Sequence, residues 1–215
     1  MSTNSSFSWQ RFQMLPIVGI LRGLSAKTIL YIAEVYVKTG YSTLEVTMNT
    51  EGAPAIITAL RKEFPTLNVG AGTVCTMEDL LIANNAGATF MVTPIIDEEV
   101  IKASVQQGLP IFPGAYTPTE IYKAWQLGAS AVKVFPATQL GPSYLKDILS
   151  PLNTLRLLPT GGVSLANIAS YFEAGASGVG MGSSLIPSSL IATQDFKGLE
   201  EHLMLIKQEI GSFLS

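Results

Sequence analysis

Two hydrophobic patterns alternate along the chain. Short apolar runs bounded by Gly, Pro or polar residues are typical of strands in a buried parallel sheet. Between them, apolar residues recur every three or four positions, which is typical of amphipathic helices. The runs predict strands at 17–21, 43–47, 67–73, 89–93, 109–112, 130–137, 155–159 and 178–182. The helical pattern predicts helices at 7–15, 25–40, 55–62, 77–85, 97–108, 117–128, 144–149, 164–175 and 196–213.

The order of these elements predicts the fold. Strand and helix alternate about eight times without a long linker or a change in composition. This alternation predicts an α/β protein with one domain over 1–215, a (β/α)8 or TIM barrel, and an N-terminal helix at 7–15 that caps one end. A doubly wound open sheet is the alternative, but no G-x-G-x-x-G motif follows the first strand. In such a barrel the active site lies at the carboxyl ends of the strands.

Composition narrows the possible functions. Of 215 residues, 47% are hydrophobic and 13% are charged, and the net charge of -3 offers no basic face for nucleic acid. The only cysteine, Cys75, and the only histidine, His202, cannot form a disulfide or a zinc site of His and Cys, so we expect no metal and no cofactor. Serine catalysis would have to use His202, which is better explained as a solvated helical residue. The polar first ten residues and the absence of a long apolar run predict a cytoplasmic protein without membrane contact.

Two charged residues interrupt apolar strands. Lys133 lies in the apolar run 131–135, and Glu45 lies between Leu44 and Val46. Burial of an unpaired charge costs several kcal/mol or shifts the pKa of the group. Burial favours the neutral amine, which attacks a carbonyl to form a Schiff base, and a nearby carboxylate can act as the base. The alternatives are a lysine whose head reaches water and an ion pair with Glu45, but a bare buried pair usually costs stability.

Polar residues and glycines follow the strands. Thr160-Gly161-Gly162 follows the seventh strand, and Gly180-Met181-Gly182-Ser183 covers the end of the eighth. In barrels this place often binds phosphate, because glycines let backbone N–H groups approach the anion and a helix N-terminus adds a favourable dipole. Glycines that only make tight turns are the alternative. The residues expected at the mouth of the barrel are Arg22, Glu45, Thr47, Thr73, Thr93, Lys133, Gly161, Gly162 and Ser183.

Taken together, these motifs resemble the 2-keto-3-deoxy-6-phosphogluconate aldolase family, which includes 4-hydroxy-2-oxoglutarate and 6-phosphogalactonate aldolases. The resemblance runs nearly end to end and rests on LEVT (44–47), VGAGTV (69–74), PG (113–114), VKVFPA (132–137), PTGG (159–162) and GS (182–183). It implies a class I, metal-free aldolase on a (β/α)8 barrel, usually a homotrimer. Such an enzyme would reversibly cleave 2-keto-3-deoxy-6-phosphogluconate to pyruvate and glyceraldehyde 3-phosphate, with 4-hydroxy-2-oxoglutarate as a further substrate.

The resemblance also implies roles for individual residues. Lys133 would form the Schiff base with pyruvate, and Glu45 would move protons. Thr73 would hold the pyruvate carboxylate. Gly161, Gly162 and Ser183 would bind the sugar phosphate. The other residues expected to contact substrate are Arg22, Thr47, Asn49, Pro94, Phe135, Thr160 and Gly182.

Two departures from the family pattern concern the substrate. Asn49 stands where many members have an arginine that grips the carboxylate, and 93–95 reads Thr-Pro-Ile instead of Ser-Pro-Gly. Galactonate-type members tend to share both departures and the run 20–23, whereas Thr160 is favoured in the gluconate branch. Because Asn49 has no charge, we hypothesise that Arg22 takes over carboxylate binding. A 6-phosphogalactonate aldolase, a non-catalytic phosphosugar-binding barrel and a phosphosugar isomerase remain as alternatives.

Overall fold

Parallel strands alternate with helices in the computed structural model, which describes residues 6–214. The strands are β1 (Ile17–Leu21), β2 (Thr43–Thr47), β3 (Asn68–Gly72), β4 (Met91–Val92), β5 (Ile111–Phe112), β6 (Gly114–Ala115), β7 (Val132–Val134), β8 (Leu157–Pro159) and β9 (Val179–Met181). The helices are α1 (Trp9–Met14), α2 (Ala26–Thr39), α3 (Ala53–Glu63), α4 (Met77–Asn85), α5 (Glu98–Gln106), α6 (Pro118–Gln126), α7 (Gly141–Leu149), α8 (Ile168–Glu173), α9 (Ser188–Ala192) and α10 (Phe196–Glu209). Short 3-10 turns lie at Ala137–Gln139 and Gly211–Phe213.

The strands form two parallel sheets. One has the order β5-β4-β3-β2-β1-β9, and the other has the order β6-β7-β8. Only Pro113 separates β5 from β6 along the chain, and a parallel bridge between Thr160 and Gly180 links the end of β8 to β9. The predicted α/β class is therefore confirmed, and the parallel sheet is curled.

Prolines lie where two strands differ from the prediction. The strand predicted at 109–112 covers Ile111–Phe112, and a separate strand, β6, follows Pro113, which has no N–H to donate to a ladder. The Pro113 carbonyl still accepts a hydrogen bond from the Lys133 N–H, at 2.9 Å. The strand predicted at 130–137 is limited to Val132–Val134, and after Pro136 the chain enters a 3-10 turn.

Helix boundaries differ where side chains or short length override the apolar pattern. The helix predicted from Ser164 begins at Ile168, because the Asn167 Oδ1 accepts from the Ser164 N–H at 2.8 Å and closes a turn. Helix α9 was not predicted, since its 5 residues are too few to show a helical period. The last helix ends at Glu209 instead of reaching 213 unbroken. The predicted N-caps are confirmed at Ser25, Thr76, Asp97 and Thr117.

The core has two parts. The larger cluster includes Leu44, Val46, Val132 and Val134 and packs the strands against the helices. The smaller cluster contains Phe7, Phe12, Val18, Phe90, Val92, Phe112, Ala131 and Leu158. The rings of Phe7 and Phe90 meet edge to face at 5.2 Å, so the N-terminal segment around α1 contacts this smaller cluster. No helix within residues 6–214 has both the length and the hydropathy needed to cross a bilayer.

Candidate active site

Glu45 and Lys133 are the central residues of β2 and β7, and both are buried. Glu45 is 1% exposed and Lys133 is 5% exposed. Successive side chains of a strand point to opposite faces, so the apolar neighbours of both residues face the helices while the charged groups face the other way. The alternation within LEVT and VKV therefore places both charges on the same side of the curled sheet, where they line one small cavity.

The environment of Lys133 favours its neutral form. Burial lowers the pKa of the amine from its ordinary value of 10.5; the Glu45 carboxylate opposes this shift, and the charge of Arg22 adds to it. The Nζ lies 4.6 Å from the centroid of the Phe135 ring, so an aromatic face replaces water on that side. A lowered pKa increases the fraction of nucleophilic amine at neutral pH.

Glu45 is held close to Lys133 without a direct ion pair. Burial raises the pKa of the carboxyl group, and the charges of Lys133 and Arg22 oppose that shift. The Glu45 Oε2 has no hydrogen-bond partner among the described residues. All the ion pairs within residues 6–214 join surface side chains and none includes Glu45 or Lys133. The alternative of a structural ion pair is therefore not observed. A cavity of about 10 Å³, about the size that holds one water molecule, is lined by both residues.

Gly72 makes room for the Glu45 carboxyl group. A Cβ at position 72 would lie 2.3 Å from Oε1 and 2.7 Å from Cδ of Glu45. The two residues belong to neighbouring strands, and Thr47 pairs with Gly72 in the register. Gly72 lies within the VGAGTV motif, but the sequence predicts no role for it, because only the strand register shows which side chain it faces.

A cavity of about 710 Å³ opens next to Lys133. The predicted site residues on its wall are Arg22, Lys133, Phe135, Thr160, Gly161, Gly162, Gly182 and Ser183. The wall also includes five residues that were not predicted, Leu24, Val163, Ser184, Ile186 and Ile191. They belong to none of the motifs, so only their position just after the strands indicates that they line a site.

The other predicted substrate contacts are not on the wall of this cavity. Thr47 is fully buried, and its hydroxyl shares a hydrogen bond with the Thr50 hydroxyl at 3.0 Å. Asn49 is exposed in the loop after β2. Thr73 and Pro94 are half-buried just beyond the ends of β3 and β4. All four stay predicted contacts.

Thr73 adopts an unusual backbone conformation. Its φ of 57° lies in the left-handed region, which a β-branched residue rarely adopts. Such a conformation costs on the order of 1–3 kcal/mol and is found mainly at functional sites. The strain supports the predicted role of Thr73 near the substrate.

The two glycine motifs present backbone donors to the larger cavity. Gly161 and Gly162 have φ of 92° and 77°, which places their peptide groups in directions that other residues rarely allow. The N–H groups of Gly162, Val163, Ser183 and Ser184 have no acceptor within residues 6–214, and all four residues line the cavity. Unpaired N–H groups that converge in a concavity are suited to bind an anion.

Arg22 lies at the entrance, directly after β1. Its side chain is exposed, and its charge influences both Glu45 and Lys133. The next N–H along the chain, of Gly23, donates to the Thr50 Oγ1 at 3.0 Å, so the loop after β1 is tied to the loop after β2. Arg22 is therefore close enough to both buried charges to assist an anionic substrate.

His202 differs from its predicted environment. It lies on α10 as expected, but it is half-buried and its Nε2 is 2.8 Å from the Ser184 carbonyl oxygen instead of being solvated. The described part of the chain contains no group of three or more His, Cys, Asp or Glu side chains that could hold a metal ion.

The family relationship of the chain rests on a match over most of its length. Residues 9–202 match the family model for KDPG and KHG aldolases, where KDPG is 2-keto-3-deoxy-6-phosphogluconate and KHG is 4-hydroxy-2-oxoglutarate. The chain belongs to this family. Its relatives are named as aldolases, so it is a carbon–carbon lyase by membership.

Individual relatives resemble the chain over most of both lengths. A 2-dehydro-3-deoxy-phosphogluconate aldolase from Haemophilus influenzae is 37% identical over 163 residues, which are 75% of this chain and 77% of the relative. A 2-dehydro-3-deoxy-6-phosphogalactonate aldolase from Escherichia coli is 34% identical over 182 residues, 82% of this chain and 86% of the relative.

Solved structures in the family share the fold. A native KDPGal structure has a TM-score of 0.87 at 28% identity and covers 97% of this chain and 98% of its own. Another is a KDPG aldolase from Legionella pneumophila with pyruvate captured as a covalent carbinolamine intermediate. Its TM-score is 0.82 at 28% identity, and the match covers 91% of this chain and 96% of the relative.

Proposed function

We propose that the protein is a class I aldolase that reversibly cleaves 2-keto-3-deoxy-6-phosphogluconate to pyruvate and glyceraldehyde 3-phosphate. The observation that supports this most directly is the buried Lys133, whose pKa is lowered, beside a buried Glu45 that is not ion-paired to it. The carbinolamine captured with pyruvate in a relative supports the same chemistry. The cavity next to Lys133 supplies backbone donors for a phosphate group.

Lys133 would act as the nucleophile. Its neutral amine adds to the C2 carbonyl of the substrate to give a carbinolamine, which loses water to give an iminium ion. The iminium carbon withdraws electrons from the C3–C4 bond. When that bond breaks, its electron pair forms an enamine instead of a free carbanion, and the aldehyde leaves.

Glu45 would act first as base and then as acid. It accepts the proton of the C4 hydroxyl as the bond breaks, through the one-water cavity that it shares with Lys133. It then returns a proton to C3 of the enamine, which regenerates the iminium ion of pyruvate. Hydrolysis of that ion releases pyruvate and frees Lys133.

The remaining predicted residues would bind the two ends of the substrate. Arg22 and Thr73 would hold the carboxylate near Glu45, and Asn49, which carries no charge, would contact it as a hydrogen-bond partner only. The backbone of the glycine motifs, together with Gly182 and Ser183, would hold the phosphate. Thr47, Pro94, Phe135 and Thr160 would shape the space between the two ends.

Reductive trapping tests this function. Borohydride added with pyruvate should reduce the imine and leave a three-carbon adduct on the peptide that contains Lys133, and Lys133→Ala should remove both adduct and turnover. A phosphosugar-binding barrel or an isomerase would give no adduct. Labelling at another lysine would contradict the assignment of Lys133.

The galactonate epimer is the second candidate substrate. Asn49 and the Thr93-Pro94 pair favour it, and a galactonate-type relative is 34% identical, whereas Thr160 favours the gluconate substrate. Separate measurements of kcat/KM for 2-keto-3-deoxy-6-phosphogluconate, its galactonate epimer and 4-hydroxy-2-oxoglutarate decide among them.

We also propose that residues 1–215 form one domain, a closed (β/α)8 barrel that α1 caps at the end opposite the site. Three observations support this: the bridge between Thr160 and Gly180, the short break at Pro113, and the contact of Phe7 with Phe90 in the smaller cluster. We expect a cytoplasmic homotrimer, and exposed apolar side chains on three successive helices offer surface for subunit contact. These are Met77, Leu81, Ile82, Val105 and Tyr122. Light scattering during gel filtration should give three times the mass of the chain.

A further inference from the structure

The side chains of Ser184 and His202, which have no predicted role in the reaction, connect the two glycine loops of the cavity. The loop at 161–167 follows β8, and the loop at 182–186 follows β9. The Ser184 Oγ, on the second loop, donates to the Val163 carbonyl oxygen on the first at 2.6 Å. His202, on α10, contacts the Ser184 carbonyl oxygen at 2.8 Å through Nε2. Because a carbonyl oxygen only accepts, Nε2 must bear the hydrogen and donate it.

The first loop is also fixed from its own far end. The Asn167 Nδ2 donates to the Gly162 carbonyl oxygen at 2.9 Å, while its Oδ1 accepts from the Ser164 N–H at 2.8 Å. In a trans peptide the C=O and N–H groups point in opposite directions. The bond to the Gly162 carbonyl therefore directs the next N–H, that of Val163, away from Asn167. That N–H is one of the unpaired donors on the cavity wall.

These bonds set the distance between the two rows of donors. Gly162 and Val163 supply N–H groups from the first loop, and Ser183 and Ser184 supply them from the second. A phosphate group needs donors from both loops within hydrogen-bond reach of its oxygens at once. The Ser184 bond joins the loops directly, and His202 anchors that joint to a helix whose residues Leu199 and Leu203 are fully buried.

We propose that Ser184 and His202 are positioning residues that keep the two glycine loops at the spacing a phosphate group requires, and so set the preference for phosphorylated over unphosphorylated substrates. The proposal rests on the proposed function for the identity of the substrate, but not for the geometry. The only proton of the Ser184 hydroxyl is donated to Val163, so that group acts through the loop and not as a donor to the substrate.

Kinetics on two substrates tests this role. Ser184→Ala and His202→Leu should each raise KM for 2-keto-3-deoxy-6-phosphogluconate about five- to tenfold, the loss expected for one hydrogen bond. KM for unphosphorylated 4-hydroxy-2-oxoglutarate and the rate of proton exchange with pyruvate should stay within twofold. His202→Gln keeps an amide donor and should restore most of the lost affinity.

Ser104→Ala is the matched control, because the Ser104 hydroxyl makes the same kind of bond, to the Leu109 carbonyl at 3.0 Å, far from the cavity. It should lower stability without changing either KM. An equal rise of KM for both substrates, or no rise in Ser184→Ala, would overturn the proposal.

A binding measurement keeps this test separate from the proposed function. Calorimetry with inorganic phosphate should show binding to the wild-type chain and weaker binding to Ser184→Ala and His202→Leu. If the wild-type chain cleaves neither ketoacid but shows this pattern, the proposed function fails while the positioning role stands. If the wild-type chain binds no phosphate, or all variants bind it equally, the positioning role is wrong.

Discussion

Gly72→Ala should separate the two chemical groups of the site. The new Cβ would lie 2.3 Å from Oε1 and 3.2 Å from Cγ of Glu45, whereas ordinary contact begins near 3.4 Å. The Glu45 carboxyl group must therefore move by about 1 Å, and a misplacement of that size costs about 10²-fold in rate. Lys133 is on another strand and keeps its own contacts, so imine formation with pyruvate should continue.

Two assays distinguish these steps. Exchange of pyruvate methyl protons with deuterated water, followed by NMR, reports the proton transfer by Glu45 and should slow about 10²-fold. Borohydride trapping reports the imine on Lys133 and should stay within a few-fold of wild type. Overpacking should also lower the free energy of unfolding by about 1–3 kcal/mol, which chemical denaturation measures.

Gly70→Ala, on the same strand as Gly72, provides the control, because its new Cβ would lie 2.5 Å from the Phe90 ring. This variant should lose a similar amount of stability but keep proton exchange within a few-fold. Normal proton exchange in Gly72→Ala, or an equal slowing of proton exchange in Gly70→Ala, would refute the assignment of Glu45 as the displaced base.

Four further predictions follow from the same geometry. Glu45→Gln should abolish most proton exchange. It should also raise the melting temperature by an amount that grows above pH 4.5, because burial raises the pKa of the Glu45 carboxyl above that ordinary value. The stability that the protonated carboxyl contributes is complete below pH 4.5 and is lost as the pH rises through the raised pKa. The trapping rate at Lys133 should titrate with a midpoint below 10.5, and lower still in Glu45→Gln, which removes a charge that raises the amine pKa. Arg22→Ala should weaken pyruvate itself in proton exchange; a loss confined to phosphorylated substrates would instead assign Arg22 to the phosphate. Tyr36→Phe removes a buried hydroxyl that has no hydrogen-bond partner among the residues at 6–214, and it should stabilise the fold by about 1 kcal/mol in denaturation. Tyr41→Phe loses a 2.9 Å bond to the Leu203 carbonyl and should destabilise the fold by a similar amount.

Local pattern was enough to place the reacting groups on the strands. Glu45 and Lys133 each lie between apolar residues, and the period of two along a strand already implies that both point away from the helices. The glycine motifs likewise marked the loops after β8 and β9. The strand ends were less accurate, because hydrogen bonds beyond Pro113 and around Asn167 decide where regular structure stops.

What local pattern missed depends on contacts between distant segments. Gly72 reads as an ordinary small residue until its strand is placed beside that of Glu45. His202 reads as a solvated residue until the helix that contains it packs over the loop at Ser184, 18 positions earlier in the chain. Neither relation has a sequence period, so neither was predicted.

The place of β1 between β2 and β9 has a consequence for synthesis on the ribosome. Gly19 pairs with Met181, so the edge of the first strand stays open until about 160 further residues have been made. At 5–20 residues per second, that interval lasts roughly 8–30 s. A nascent chain that ends near 175 already contains Lys133 and Glu45 but lacks the strand that brings Ser183 beside Arg22. The phosphate-binding half of the site is therefore assembled last.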